Sequence, residues 1–304
     1  MQTRSIDGGL TWETIQAPLD APGNVAISAD EHMNLGLGPV HLRTNPPKTF
    51  DEEFDFSKPD FAILMARTGI RGTCESYFYI TKDRCKNWLG PFSFPMFGLG
   101  GVAARTDIVS HQSHTNRCIL LLTATKPDGD QGRVFCAETR DAGQSFQFLS
   151  WLREFPEGIE NMPSTVRLSS GRLLTALRCR SSLESIGWID LMYSDDEGIN
   201  WHSLSRPVRG TGSAGNPPVL LLLSDGRLCL IYGYRGDGAG VRYVTSANSG
   251  RSWGREIILR DDAGNHDVGY PRAIERPDGN VVVVYYHNDV ADGDRYIAAT
   301  IWKP

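Results

Sequence analysis

The chain has 304 residues, of which 40% are hydrophobic and 22% are charged, and its formal net charge is −5 with both signs mixed along its length. These values describe an ordinary globular protein and exclude a basic surface for nucleic acid or anionic lipid. No apolar run approaches the ~18 residues of a membrane span, and residues 1–4 are not typical of a signal peptide.

One short turn motif recurs five times along the chain. Its pattern is Ser/Thr-x-Asp-x-Gly-x-Ser/Thr-aromatic, and the copies, two of them degenerate, lie at residues 5–12, 81–88, 139–146, 194–201 and 246–253. The Asp side chain can accept hydrogen bonds from backbone N–H groups further along the turn, and the Gly supplies a positive φ. The aromatic residue opens the next strand. The near-regular spacing of these copies along the chain predicts a repeat architecture.

Four-stranded units separate these turns. In the clearest unit, strands over 218–223 and 228–234 flank a hairpin turn at 224–227, a third strand follows over 241–246, and Trp253 opens the fourth. Short β-rich runs joined by such turns predict antiparallel hairpins.

Complete units of this kind are predicted over residues 34–92, 103–150, 163–205, 217–260 and 270–302. The first turn motif belongs to a further unit that lacks its first two strands. We therefore predict one all-β domain over 1–304, a six-bladed β-propeller of four-stranded antiparallel blades whose first blade is incomplete. The alternative is a five-bladed ring in which the N-terminal hairpin patches the last blade.

The six cysteines have no metal-binding spacing. They are Cys74, Cys85, Cys118, Cys136, Cys179 and Cys229. Several stand in strand-like runs and are interpreted as buried thiols, which favours a reducing compartment and hence a cytoplasmic location. We expect no metal, no cofactor, no nucleic-acid partner and no membrane partner.

Polar residues, arginines above all, gather where the first strand of each unit starts and the second ends. Because the Asp turns join the third and fourth strands, these positions should share the opposite face of the propeller. They include Arg178, Arg235 and Tyr270, and in another unit Arg105 and Asp107, which share one side of a strand. Several arginines around one opening indicate an anionic ligand, typically a carboxylate held by two-point contacts.

The repeated turn, known as the Asp-box, and the blade pattern resemble the sialidase (neuraminidase) superfamily over essentially the whole chain. That resemblance implies an anionic carbohydrate substrate whose carboxylate is held by three arginines, a tyrosine nucleophile assisted by a Glu, and an Asp acid/base. Tyr270, followed by Pro271 and the turn at Asp278, is similar to the nucleophile strand, and Arg178 and Arg235 are similar to the second and third arginines.

The chain departs from the family pattern at the assisting Glu, whose expected position is Met162. Glu160, two residues earlier, could replace it. Arg105 and Asp107 could also belong to the site, Arg105 as a substrate ligand and Asp107 in proton transfer, but neither maps onto the family's first arginine or its acid/base Asp. A tyrosine without a base is a poor nucleophile, so the departure keeps other activities open.

Three functions therefore stand. The first is a sialidase-like exo-glycoside hydrolase on an anionic glycan, with Tyr270, Glu160 and Asp107 as catalytic residues and Arg105, Arg178 and Arg235 binding substrate. The second is a polysaccharide lyase that removes the proton α to a uronate carboxylate. The third is a glycan-binding propeller without catalysis.

Overall fold

The computed structural model describes residues 2–17, 19, 46–69, 71–111, 114–182 and 184–304, without the side chains of Arg105 and Gln131. The described residues form twenty strands and no helix. They accordingly contain no helix that is long and apolar enough to cross a membrane. The strands make small antiparallel sheets in a β-propeller arrangement, as predicted.

Chain contacts divide the protein into two compact units, Gln16–Pro156 and Met1–Ile15 with Glu157–Pro304. The Gln16–Pro156 unit holds two blades. The first has β3 (Ala62–Arg67), β4 (Ser76–Thr81) and β5 (Leu89–Ser93), and the second has β6 (Val102–Ser110), β7 (Cys118–Thr125), β8 (Gln131–Thr139) and β9 (Gln147–Trp151). Between the two lies a phenylalanine-rich core that includes Phe54, Phe78 and Phe135.

The other unit holds three blades and a hairpin. The hairpin joins β1 (Gln2–Arg4) to β2 (Glu13–Ile15). The third blade has β10 (Ile159–Arg167), β11 (Leu173–Arg180), β12 (Trp188–Ser194) and β13 (His202–Val208), and the fourth has β14 (Pro218–Leu222), β15 (Leu228–Tyr234), β16 (Gly240–Ser246) and β17 (Ile257–Arg260). The fifth has β18 (Gly269–Glu275), β19 (Val281–His287) and β20 (Tyr296–Trp302). Apolar cores lie between the third and fourth and between the fourth and fifth blades.

The second strands of the first and third blades are buried on both faces. All eight residues of β11 and all six of β4 are buried. This explains their continuous apolar runs, which differ from the alternating pattern of a sheet with one wet face.

The repeated turns close through the hydrogen bonds that the motif predicts. The Asp141 carboxylate accepts the Ser145 amide at 2.9 Å, the Ser145 hydroxyl at 2.6 Å and the Thr139 hydroxyl at 2.9 Å. Equivalent bonds form in the turns of Asp7, Asp83, Asp196 and Asn248. The residue before each turn glycine also has a positive φ, as at Ala142 with φ 58°.

The strand register confirms the predicted sidedness within the third and fourth blades. Leu173 pairs with Ser194, beside the Asp196 turn, whereas Cys179 pairs with Trp188 at the other end of the sheet. In the fourth blade Leu228 pairs with Ser246 and Tyr234 with Gly240. Arg178 and Arg235 therefore lie at the sheet ends opposite to the Asp and Asn turns.

The described residues form five blades, which is the alternative count, and the N-terminal hairpin packs on the fifth. A Cβ on Gly9 would meet Val282 at 3.0 Å, just as a Cβ on Gly250 would meet Leu191 of the preceding blade at 2.4 Å. The hairpin thus sits on the fifth blade as the turn of one blade sits on the blade before it. The first strand of the unit predicted over 34–92 would fall on residues outside the described ones.

Five of the six cysteines are buried. Burial raises the pKa of the Cys229 thiol to about 12, with a small opposing effect of Arg227. Cys229 therefore stays protonated and packs as a small apolar side chain.

Candidate functional site

The first strands of the third and fifth blades, β10 and β18, share an unusual backbone feature at the end where the arginines lie. Met162 in β10 and Tyr270 in β18 have φ values of 51° and 56°, and each precedes a proline. The strand pairing shifts register at both places, between Asn161 and Ser164 and between Gly269 and Arg272. These bulges turn the two side chains out of the normal alternation of a strand.

Arg178 is the centre of the site. It is 4% exposed, and its Nη1 lies 3.4 Å from the Met162 sulfur and 3.5 Å from the Tyr270 hydroxyl. Its Nη2 donates to the Ala214 carbonyl at 2.6 Å. Among the described residues, no carboxylate lies within ion-pair distance of this guanidinium, and its Nε has no hydrogen-bond partner.

The electrostatic state of Arg178 follows from this environment. Burial lowers the pKa of Arg178, while Tyr270 opposes the shift and Arg235 contributes to it. Arginine nevertheless remains protonated in proteins. A buried cation without a carboxylate partner is unfavourable, and an anionic ligand would neutralise it.

Asn216 holds the strained segment that carries Tyr270. This fully buried amide accepts a hydrogen bond from the Tyr270 amide at 3.1 Å and donates to the Val268 carbonyl at 2.6 Å. A Cβ on Gly269 would lie 2.1 Å from the Asn216 amide nitrogen, and one on Gly233 would lie 2.6 Å away. Two glycines therefore leave the room that Asn216 needs to fix the Tyr270 backbone.

Arg235 takes part in a second polar cluster. Its Nε donates to the Val268 carbonyl at 3.2 Å, and its Nη2 donates to the Tyr286 hydroxyl at 2.6 Å. The Tyr286 hydroxyl donates to Asp267 at 2.8 Å, and Arg295 reaches the other oxygen of Asp267 at 2.9 Å. The Tyr286 and Tyr270 rings are 5.6 Å apart, so this cluster adjoins the Arg178 group.

The charges of the second cluster are fixed by its hydrogen bonds. Burial raises the pKa of the Tyr286 hydroxyl, and donation to Asp267 adds to the rise, although Arg235 opposes it. Burial would raise the pKa of Asp267, but the hydrogen bonds from Tyr286 and Arg295 and the charge of Arg235 bring it below its ordinary value. At neutral pH Tyr286 is therefore a neutral donor and Asp267 a carboxylate.

The structure does not bring Glu160 to Arg178. Asn161 pairs with Arg178, whereas Glu160 pairs with Cys179, and consecutive residues of a strand point to opposite faces. The buried Glu160 instead has ligand-type atoms of Cys179 and Asp190 within 4.8 Å. Because Asp190 already binds Arg206 at 2.7 and 3.2 Å, a metal ion there would compete with a guanidinium.

Two of the residues proposed from the sequence belong to the Gln16–Pro156 unit. Asp107 is half-buried in β6, where it pairs with Leu121 just after a register shift that begins at Ala103. The Arg105 side chain lies outside the described part of the chain. The inner strand of this blade thus has a bulge at the same place as β10 and β18.

The sequence did not identify the groups that orient the site. Asn216, Asp267 and Tyr286 stand at strand ends, but their hydrogen bonds to Val268, Tyr270 and Arg235 depend on contacts between blades. The available signal was the proline eight residues before the turn glycine in three neighbouring blades, at Pro163, Pro218 and Pro271. Asn216 lies two residues before this proline, as Asn161 and Gly269 do in the other two blades.

No family model matches the sequence, and no curated protein matches it. Solved structures do match in fold. A protein of unknown function from Dyadobacter fermentans DSM 18053 aligns with a TM-score of 0.62 at 24% identity, over 75% of this chain and 63% of that one. The GH93 alpha-L-arabinofuranosidase of Fusarium graminearum, in complex with arabinobiose, aligns with a TM-score of 0.52 at 17% identity, over 66% and 62% of the two chains.

The endo-arabinase from Bacteroides thetaiotaomicron VPI-5482 aligns over 85% of this chain and 93% of that one, with a TM-score of 0.53 at 14% identity. The chain thus spans under two thirds of the first two matching structures and most of the third. At these identities the similarity supports the β-propeller fold, and it gives no support to the sialidase superfamily in particular.

Proposed function

We propose that this protein is a β-propeller glycoside hydrolase that acts from the end of an anionic, carboxylate-bearing glycan. The observation that carries the proposal is the buried guanidinium of Arg178, which has no carboxylate partner among the described residues and faces the Tyr270 hydroxyl at 3.5 Å. Burying a cation in this way is costly unless a ligand supplies the negative charge.

In this proposal Arg178 and Arg235 hold the substrate carboxylate, and Tyr270 acts at the anomeric centre. The Tyr270 side chain is 42% exposed and so is accessible to a sugar. The charge of Arg178 would stabilise Tyr270 as a phenolate, whose proton is released to solvent because Met162 is not a base. The phenolate oxygen would then bond to the anomeric carbon as the glycosidic C–O bond breaks and a carboxylic acid protonates the leaving oxygen. The proton-transfer roles proposed for Glu160 and Asp107 are tested by Glu160→Gln and Asp107→Asn.

The matching structures support a glycoside hydrolase and also suggest a second candidate. Two of them are named as enzymes of arabinose-containing substrates, a GH93 alpha-L-arabinofuranosidase and an endo-arabinase. A neutral arabinoside is therefore the competing substrate class. The uncompensated charge of Arg178 favours the anionic class, because a neutral sugar would leave that charge unpaired.

The test is a hydrolysis screen with matched fluorogenic glycosides: an α-sialoside, a β-glucuronide and an α-L-arabinofuranoside. We expect turnover of an acidic glycoside, with kcat/KM falling at least about 100-fold in Arg178→Met, as for a lost charged contact in a buried site. Arg167→Met is the control, because Arg167 pairs with Glu197 at the other end of the same sheet. Turnover of the arabinofuranoside alone, equal in wild type and Arg178→Met, would refute the anionic substrate.

The same screen separates the remaining functions. A new ultraviolet absorbance from an unsaturated uronate product on acidic polysaccharide would identify a lyase. Calorimetric binding of free N-acetylneuraminate or glucuronate without turnover of any glycoside would identify a binding protein.

A further inference from the structure

We propose that Tyr286 is a positioning residue that fixes the guanidinium of Arg235 for a substrate carboxylate, with Asp267 holding the Tyr286 hydroxyl in place. This inference rests on the proposed function, since it assigns Arg235 to the carboxylate. It adds a residue that neither the sequence motif nor the matching structures indicated.

The contacts form a directional chain. The Tyr286 hydroxyl donates a hydrogen bond to Asp267 at 2.8 Å. Its oxygen is therefore free to accept a hydrogen bond from Arg235 Nη2 at 2.6 Å. The Val268 carbonyl accepts Nε at 3.2 Å. Two of the three guanidinium nitrogens of Arg235 are thus fixed by protein, and Nη1 has no hydrogen-bond partner among the described residues.

This arrangement leaves Nη1, with its two N–H groups, to contact an anion. A guanidinium is planar, so fixing two of its nitrogens also fixes the direction of the third. Holding the group in one orientation before binding reduces the ordering that the ligand must cause. The Asp267 carboxylate lies 4.0 Å from Arg235 and also binds Arg295. Asp267 therefore neutralises the positive charge of Arg235 only in part.

The neighbouring residue offers a matched control. The Tyr285 hydroxyl is hydrogen-bonded to the Thr300 hydroxyl at 2.7 Å, and its ring is part of the core between the fourth and fifth blades. Tyr285→Phe and Tyr286→Phe remove the same single oxygen from adjacent positions on opposite faces of β19. An effect of hydroxyl loss on folding would appear in both variants, whereas an effect on Arg235 would appear only in Tyr286→Phe.

The kinetic experiment measures KM and kcat separately on the acidic glycoside. We expect Tyr286→Phe to raise KM about tenfold, the loss of one hydrogen bond to a charged group, with kcat within about twofold of wild type. Tyr285→Phe should leave both unchanged. Asp267→Asn keeps an acceptor for the Tyr286 hydroxyl, so its KM should stay within about threefold of wild type.

Crystal structures of wild type and both tyrosine variants test positioning without any turnover. Arg235 should keep its orientation in Tyr285→Phe and lose its contact geometry, by a rotamer change or weaker density, in Tyr286→Phe. If Arg235 superposes in all three structures, or if KM is equal in both variants, Tyr286 is not a positioning residue. If the wild type hydrolyses no acidic glycoside, the proposed function fails, and the crystal structures still decide the role of Tyr286.

Discussion

Replacing Arg178 with methionine should raise the free energy of unfolding measured without added ligand. Arg178 is 4% exposed and pairs with no carboxylate among the described residues, so the folded state carries the desolvation of an isolated cation. Effective penalties for such groups are several kcal/mol. The opposing loss is modest, since the hydrogen bonds to Ala214 and Tyr270 contribute about 1 to 2 kcal/mol together, and Arg180 also donates to Ala214 at 3.0 Å.

The net expectation for Arg178→Met is a rise of about 1 to 3 kcal/mol in the free energy of unfolding. The introduced side chain is unbranched and can pack beside Met162. Arg167→Met should have the opposite sign, because it leaves the partly exposed Glu197 carboxylate without its two-point partner. We expect a loss of about 1 kcal/mol there.

Urea unfolding at pH 7, followed by circular dichroism and analysed with a common slope, measures both variants against wild type. Adding the acidic ligand should raise the melting temperature of wild type and not that of Arg178→Met, because only the folded site with its cation binds. If Arg178→Met is destabilised as much as Arg167→Met, the charge of Arg178 is compensated in the folded protein. The argument for an anionic ligand would then be lost.

Four further predictions concern single side chains. Asp141→Ala should lower the free energy of unfolding by about 1 kcal/mol, with turnover per folded molecule unchanged. Asp141→Asn should lower it by less, because the Asn248 side chain accepts the Ser252 amide just as Asp141 accepts the Ser145 amide. Burial alone would raise the pKa of Asp141, but the hydrogen bonds from Ser145 bring it below its ordinary value. The ionised Asp141 therefore stabilises the protein fully above pH ~4, and this stabilisation fades as the pH falls further. Urea titrations should accordingly show a smaller difference between wild type and Asp141→Asn at pH 3 than at pH 6. Tyr270→Phe should abolish turnover and leave calorimetric ligand binding within about threefold, whereas full activity would remove Tyr270 from the chemistry. Arg235→Lys should weaken binding of the acidic ligand at least about tenfold, although the charge is kept. Asn216→Ala should lower kcat by a larger factor than it raises KM, and equal factors for kcat and KM would contradict this prediction.

Much of the fold could be predicted from the sequence because it depends on local rules. The Asp141 turn closes on residues two to four positions away, so its hydrogen bonds follow from the motif alone. The hairpins follow from short strands and turn residues, and the end of the sheet on which Arg178 lies follows from counting strands. The number of blades could not be predicted in the same way, because the position of the N-terminal hairpin depends on its contact with Val282, which is far away in sequence.

The candidate site was only partly predictable, because its geometry arises between strands of different blades. Arg178, Arg235 and Tyr270 could be aligned on their turn glycines, and the structure brings Arg178 and Tyr270 together. Glu160 was placed beside Met162 by simple alternation along an extended strand. The bulge after Asn161 breaks that alternation, and the register pairs Glu160 with Cys179 on the other face of the sheet.

The backbone at Met162 and Tyr270 is itself an argument for function. A non-glycine residue with a positive φ costs about 1 kcal/mol or more, and a following proline further restricts the residue before it towards extended conformations. Both residues adopt this conformation at equivalent places in two blades, and at Tyr270 the hydrogen bonds of the buried Asn216 hold it. The two bulges deliver a thioether and a phenol to the same buried guanidinium. In the proposed function, this conformation brings the Tyr270 hydroxyl to Arg178.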